Sequence, residues 1–393
     1  MENRRLPREI FSVQWLVLLS YSSISVLTLL PLFFERLGGN PGEIGFLIGL
    51  FSLAAFLSRP LVGWILSRVN PRSVLLSGLS LMVITTGLYF FIHSLGWFAA
   101  FVRVLHGVGF SVFILAALLI VVLVSSEKER AYAIGIVSTG FMLPLLIVPY
   151  LSEQIIERYG FFFFFLIALV LAMIPLIFSF FARFRLPSYP NPSEIKSAGF
   201  LRLLKRKRIL LIFLLTFIFE VGLSSSLSFV PLLAHESSSM RSGYFYSLLG
   251  LTAVIMRLYG GRRLKHWGDP LLIVPAFWFL SAGGVLVYFS HSDFLIGLSG
   301  FIWGIGVGIL YPHLSALIVE GVGLAEKGKI LSLFASSVDL GFAFGPLLFG
   351  WASQYLGLRI TFVPFAVLIL ISSLALIWTG KSSLFKAEDR GMP

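Results

Sequence analysis

Long apolar runs, each close to the length of a membrane crossing, succeed one another along almost the whole chain and are parted by short polar or basic turns. A helix needs roughly 20 apolar residues to cross about 30 Å of hydrocarbon. In lipid a helix is also the open-chain solution, because every backbone N–H and C=O must find its partner within the segment. The pattern predicts spans over 10–34, 43–66, 73–92, 97–124, 131–153 and 160–182. A second set falls over 209–234, 242–264, 270–290, 294–319, 329–353 and 359–379. The segment 183–208 separates six spans from six. It opens with L-P-S-Y-P-N-P-S, in which prolines and small polar residues forbid a helix. It closes on a basic amphipathic stretch suited to lying on the inner leaflet. The expected fold is therefore an all-α membrane protein of twelve transmembrane helices: an N-terminal bundle over 1–182, a linker over 183–208, and a C-terminal bundle over 209–393 with a short tail.

The two sets repeat one another. S-R-P-L-V-G-W-I-L-S-R-V-N-P-R at 58–72 aligns with M-R-L-Y-G-G-R-R-L-K-H-W-G-D-P at 256–270, placing Arg59 on Arg257 and Gly63 on Gly261. Pro31 and Pro231 end comparable spans, and each follows a hydroxyl cluster, at 20–25 and 223–228. Val148–Pro149 answers Gly345–Pro346, and Gly107/Gly109 answers Gly306/Gly308. Correspondences at a nearly constant shift point to two parallel, pseudo-symmetric halves related by an axis along the membrane normal.

Composition agrees with that picture. The chain is 58% hydrophobic, with a mean hydropathy of +0.95 and only 12% charged residues, against about 25% for a soluble domain. Its net charge of +12 would suggest nucleic acid in a soluble protein, but the placement of the charges argues otherwise. With the N-terminus inside, 23 of the Lys and Arg residues fall in inner segments, four in outer loops and three within spans. That is the positive-inside signature. It predicts an inner (plasma) membrane protein with both termini cytoplasmic and no nucleic-acid partner. The first apolar run is too long for a signal-peptide core and lacks a small-residue cleavage site, so it reads as a retained span. There is no cysteine, no Walker A pattern and no H-E-x-x-H pair. ATP-driven pumping, thiolate metal sites and metalloenzyme chemistry are thus unsupported, and no cofactor, metal or enzymatic activity is expected.

Taken together these residues resemble the major facilitator superfamily, the twelve-span secondary transporters, over essentially the whole chain. Gly63, Arg68 and Arg72 fit the family's loop G-x-x-x-D-R-x-G-R-R/K between spans 2 and 3, although Ser67 stands where the family has Asp and Asn70 where it has Gly. The second copy keeps Gly261 and Gly268, with Lys265 in the acidic place. The span 4 motif R-x-x-x-G-x-G is intact as Arg103, Gly107 and Gly109. The span 5 antiporter motif has lost its glycine to Val148, whereas D-L-G-F-A-F-G-P around Asp339, Gly345 and Pro346 is well formed. The details are most similar to drug- and sugar-efflux branches. The resemblance implies a monomeric transporter of a small organic molecule working by alternating access, with proton-coupled efflux as the first reading. The alternatives are a uniporter or importer of a sugar or organic acid, and a lipid or lysolipid mover.

An ionisable side chain within a span costs roughly 2.5–3.5 kcal/mol on insertion scales, so each is a functional candidate by default. Glu220 lies mid-span, on a stripe with Thr216, Ser224 and Ser228 at fourfold spacing. Asp339 shares a face with Ser332, Ser336 and Ala343. A carboxyl in apolar surroundings is a candidate proton carrier, against the plainer reading of a hydrogen bond to a neighbouring helix. Arg103 and His106, three apart, share a face of span 4; the family motif makes Arg103 a candidate in a proton relay. His106 and His313 are candidates too, with packing as the commoner role of a lone histidine. Gln14, Tyr21, Ser25 and Thr28 would give span 1 a polar stripe facing a cavity, the alternative being close helix packing. Arg59 and Arg257 lie near the cytoplasmic ends of their spans, where their side chains can snorkel.

In the family, the loop acid is thought to latch the cytoplasmic side closed. Ser67 cannot hold a charge and Lys265 reverses its sign, so a weaker latch is expected, supported by Arg68, Arg72 and close packing at Gly63 and Gly261. Restoring the acid with Ser67→Asp is expected to shift the population toward the outward-open state. The chain has no cysteine of its own, so labelling of single introduced cysteines reads this directly, and unchanged cytoplasmic accessibility would count against the latch.

Overall fold

The apolar runs fold as helices, and no strand occurs among the described residues. The computed structural model describes residues 7–126, 129–182, 184, 203–237, 239–263, 270–319 and 324–380. The helices are α1 (Arg8–Val26), α2 (Leu30–Arg36), α3 (Pro41–Leu66), α4 (Pro71–Leu88), α5 (Trp97–Val124), α6 (Arg130–Met142) and α7 (Val148–Phe181). They continue with α8 (Lys207–His235), α9 (Ser242–Arg263), α10 (Pro270–Phe289), α11 (Asp293–Leu317), α12 (Leu324–Leu356) and α13 (Leu358–Gly380). Among the described residues, nine helical segments are long and apolar enough to cross a membrane.

Proline and glycine account for the interruptions. Pro31 has no N–H for the Leu27 carbonyl, and a 3-10 turn, Leu27–Leu29, divides α1 from α2. The expected span 131–153 is not one helix: α6 stops at Met142, and Pro144 opens a 3-10 turn that runs into α7. Sequence hydropathy could not show this, because the run stays apolar throughout. Within α7, Gly160 takes φ 78°, a conformation that favours glycine, and joins two helical pieces at a bend. Asn70, standing in the family's glycine position, caps α4 by accepting from the Arg72 N–H at 2.9 Å.

The helices gather into two compact units, Met1–Gly39 with Leu50–Lys196, and Asn40–Gly49 with Ser197–Pro393. In the first, α4 packs on α5 and α7, and α1 on α5, α6 and α7. Their shared core includes Ile10, Leu16, Leu75, Phe113, Ala117 and Ile120. In the second, α9 pairs with α11, α8 with α12, and α10 with α11 and α13. The first turns of α3 belong to this unit: a side chain on Gly45 or Gly49 would strike the carbonyl of Pro346 or Ala343 on α12. Large apolar side chains, among them Leu57, Trp64, Phe162 and Trp351, stay exposed on the outside, as a lipid-facing surface requires.

Arginines complete several helix ends, where the last carbonyls lack intrahelical partners. Arg72 Nη2 donates to the Phe180 carbonyl at 3.3 Å, Arg208 Nη2 to Leu317 at 3.1 Å, and Arg359 Nη1 to Tyr288 at 2.9 Å and to Ser290.

Close approach at glycine sets the helix spacing. A Cβ at Gly300 would collide with Phe245 backbone on α9, so Gly300→Val is expected to destabilise the fold by about 1–3 kcal/mol or more, the usual cost of overpacking. Gly63→Ala adds a methyl into open space and should shift stability by no more than about 0.5 kcal/mol. Thermal unfolding of the two purified variants checks the contrast.

Candidate functional site

In the second unit the ionisable residues of four helices converge. Glu220 on α8 is only 1% exposed, and its Oε2 has no hydrogen-bond partner among the described residues. It feels the charges of Arg257 on α9 and of Asp339 on α12. The Arg257 guanidinium lies 5.4 Å from the ring centroid of Tyr311 on α11 and interacts electrostatically with both Tyr311 and Glu220. A buried carboxylate is tolerable only with a compensating charge or a proton. The arrangement offers the first through Arg257 and leaves room for the second. Glycine brings α12 this near: a Cβ on Gly341 would sit 2.5 Å from the Glu220 Cβ. Ser224 ties the same pair of helices, donating to the Gly341 carbonyl at 3.1 Å.

Arg257, read from sequence as a snorkelling side chain, is thus coupled to the Glu220 carboxylate. The signal that could have found it was its place inside an apolar run, where any fixed charge needs a partner. Its being near the helix end made the plainer reading attractive.

Around this cluster the hydroxyls serve the backbone. Thr216 donates to Ile212 at 2.8 Å and Ser228 to Ser224 at 2.7 Å, both carbonyls one turn back on α8. His313 is fully buried, and its Nδ1 meets the Ile309 carbonyl at 2.8 Å, which requires the proton on that nitrogen. Asp339 is buried on α12 at the edge of the same cluster.

The first unit holds a separate group. Arg103 Nη1 donates to the Tyr89 hydroxyl at 3.1 Å, and that hydroxyl lies 3.2 Å from His106 Nδ1. Accepting from arginine, the hydroxyl still has a proton and a lone pair through which it can bond either tautomer of the histidine. Phe51 closes the group from α3, with Arg103 5.0 Å from its ring centroid and His106 edge-on at 5.2 Å. A side chain on Gly107 would strike the Phe51 carbonyl, so the G-x-G motif supplies the close approach that stacks these residues. Tyr89 escaped the sequence reading because it lies at the end of its span, outside any polar stripe. On α1, Gln14 Nε2 donates to Thr139 Oγ1 at 3.3 Å, and Tyr21 packs against Phe110 and Phe141. Ser25 is buried, and Thr28 donates to the Ser25 carbonyl at 2.7 Å.

The expected latch differs in its parts. Gly63 is not a close-packing position: a side chain there would meet nothing within 4 Å, because the residue lies on the exposed face of α3. Arg68 folds back over the Trp64 ring at 4.0 Å, Ser67 donates to the Trp64 carbonyl at 2.7 Å, and Arg72 holds the end of α7. Gly261 lies in the last turn of α9, and Lys265 falls outside the described residues, as do Gly268, Lys128 and residues 183 and 185–202 of the linker.

The family model of the Major Facilitator Superfamily matches residues 10–335. The chain belongs to the Major Facilitator Superfamily. It is 23% identical to the staphylopine export protein of Staphylococcus aureus, over 91% of this chain and 92% of that protein. It is 24% identical to the multidrug resistance efflux pump PmrA of Streptococcus pneumoniae, again over 91% and 92% of the two chains. The fold matches the human organic anion transporter MFSD10 with a TM-score of 0.70 at 21% identity, covering 94% of this chain and 100% of that one. This superfamily protein is accordingly a multi-pass membrane transporter and not an enzyme.

If Glu220 and Arg257 compensate one another, Glu220→Gln and Arg257→Gln should be non-additive. The double variant is expected to be more stable than the sum of the single losses implies, by about 0.5–3 kcal/mol. Additive losses in thermal or denaturant unfolding would separate the two residues.

Proposed function

We propose that the protein is a proton-coupled exporter of a small organic molecule, with Glu220 as the group that takes up and releases the proton. The observation that carries this reading is the burial of Glu220 with an unpartnered oxygen, within the fields of Arg257 and Asp339. Protonation removes the carboxylate's attraction for Arg257 and its repulsion of Asp339, leaving the cation over the Tyr311 ring. Proton binding can thereby change how α8, α9 and α12 hold one another. Asp339, and in the other unit Arg103, which shares the Tyr89 hydroxyl with His106, are supporting charges. Gln14, Tyr21 and Ser25 on α1, with Thr28 in the turn that follows it, remain candidates for substrate contact.

In this reading twelve spans form two six-helix halves that rock about a midplane site. Both termini face the cytoplasm, and the transporter works as a monomer in the plasma membrane. Export as the direction is supported by the names of the two bacterial relatives, one an export protein and the other an efflux pump. Val148, in the place of the family's span 5 glycine, favours a second reading as a uniporter or importer of a sugar or organic acid. The bonding of Thr216 and Ser228 to their own helix leaves fewer hydroxyls for a sugar.

Reconstituted protein, screened against organic cations and anions, distinguishes these. Transport driven by an imposed pH gradient is expected to fall at least tenfold in Glu220→Gln, while counterflow without a gradient persists. Rates unchanged by the substitution and indifferent to the gradient would overturn the proton assignment, and wild-type counterflow alone would favour the uniporter.

A further inference from the structure

Three interruptions of helix meet at one end of the first unit: the end of α2 at Arg36, the 3-10 turn Tyr89–Phe91 after α4, and the bend of α7 at Gly160. Between them lies a cavity of about 460 Å³, within the range of small-molecule sites. Its inner wall is Tyr89 stacked on Phe165, with ring centroids 5.7 Å apart and planes within 5°. Phe33, Phe90 and Phe161 extend the apolar lining. The polar groups at its mouth are Arg36, His93 and Tyr159, and among the described residues no Asp or Glu lines it. Arg36 lies over the Phe161 ring at 5.5 Å, so its cation is held at the edge of the apolar surface.

We propose that this cavity binds the phosphodiester headgroup of an anionic phospholipid, a site that goes beyond the transport reading and does not depend on it. Helix ends mark the level of the membrane interface, where Arg and Tyr side chains meet lipid headgroups. A fixed cation beside aromatic walls fits a ligand with an anionic head and an apolar tail. With no carboxylate in the lining, nothing in it balances the ammonium of a zwitterionic lipid. The mouth also leads outward along apolar surface: Phe162 lines the cavity and is 62% exposed, which gives an acyl chain a path into the bilayer. Arg36 supplies the charge and His93 and Tyr159 supply hydrogen-bond donors. The Tyr89 ring forms the inner wall, and its hydroxyl holds Arg103 and His106, so occupancy bears directly on the residue that anchors that group.

Native mass spectrometry of the full-length protein, incubated with equimolar phosphatidylglycerol and phosphatidylcholine, tests this. Wild type is expected to retain phosphatidylglycerol at least threefold over phosphatidylcholine. Arg36→Gln should bring the ratio close to one and His93→Gln should lower it, while Arg241→Gln, which removes an equal charge in the other unit, should leave it unchanged. Equal retention of both lipids by wild type would overturn the proposal, as would a preference that survives Arg36→Gln or falls equally in Arg241→Gln. Displacement of the lipid adduct by free glycerol 1-phosphate would assign the cavity to a soluble organophosphate instead.

Discussion

The absence of water as a hydrogen-bond partner governs this molecule from the helix ends inward. Each carbonyl or hydroxyl that a soluble protein would leave to solvent must be met from within the chain. Arg72, Arg208 and Arg359 therefore reach to the final turns of α7, α11 and α10. Thr216, Ser225 and Ser228 of α8 turn back to carbonyls on their own helix, and Ser224 reaches the Gly341 carbonyl of α12. The same demand makes an exception conspicuous. The Glu220 carboxyl, buried with one oxygen unmet among the described residues, stands out from the Thr216, Ser224, Ser225 and Ser228 hydroxyls of its own helix, each of which has a carbonyl to bond.

Glycine gives these polar groups their reach. Gly341 brings the α12 backbone against Glu220 and within range of the Ser224 hydroxyl, and Gly107 brings α5 against Phe51 beside Arg103 and His106. In both units a charged group in the apolar interior sits next to a glycine that lets a neighbouring helix close over it. Substituting these glycines would alter more than packing, because the carbonyls and side chains they bring near are part of each group's electrostatic environment.

Basic residues have more than one task here. The excess of Lys and Arg on one set of turns reads as a topology signal, yet Arg72 and Arg208 from that set also complete helix termini. Arg36, from the sparse opposite set, stands at the mouth of an aromatic cavity. A charge counted for orientation is thus also a local structural group, and its removal acts through both.

Hydropathy and spacing by themselves determined the helical class and the membrane environment, while the family came from the motif residues around Gly63, Arg103 and Asp339. They also singled out Glu220, Asp339, Arg103 and His106, because an ionisable residue in an apolar run is conspicuous without any neighbour being known. What faces those residues was decided only in three dimensions. Arg257 looked like a side chain reaching for the interface until α9 was seen to bring it to Glu220, and Tyr89 carried no mark in the sequence at all. Gly63 suggested close packing by motif, yet open space surrounds it. The bend at Gly160 falls where a new span was predicted to begin, but the break of the predicted span 131–153 at Pro144 was hidden in an unbroken apolar run. The physical reason is common to all of these: periodicity reports the environment along one helix, whereas pairing depends on the rotation and spacing of two.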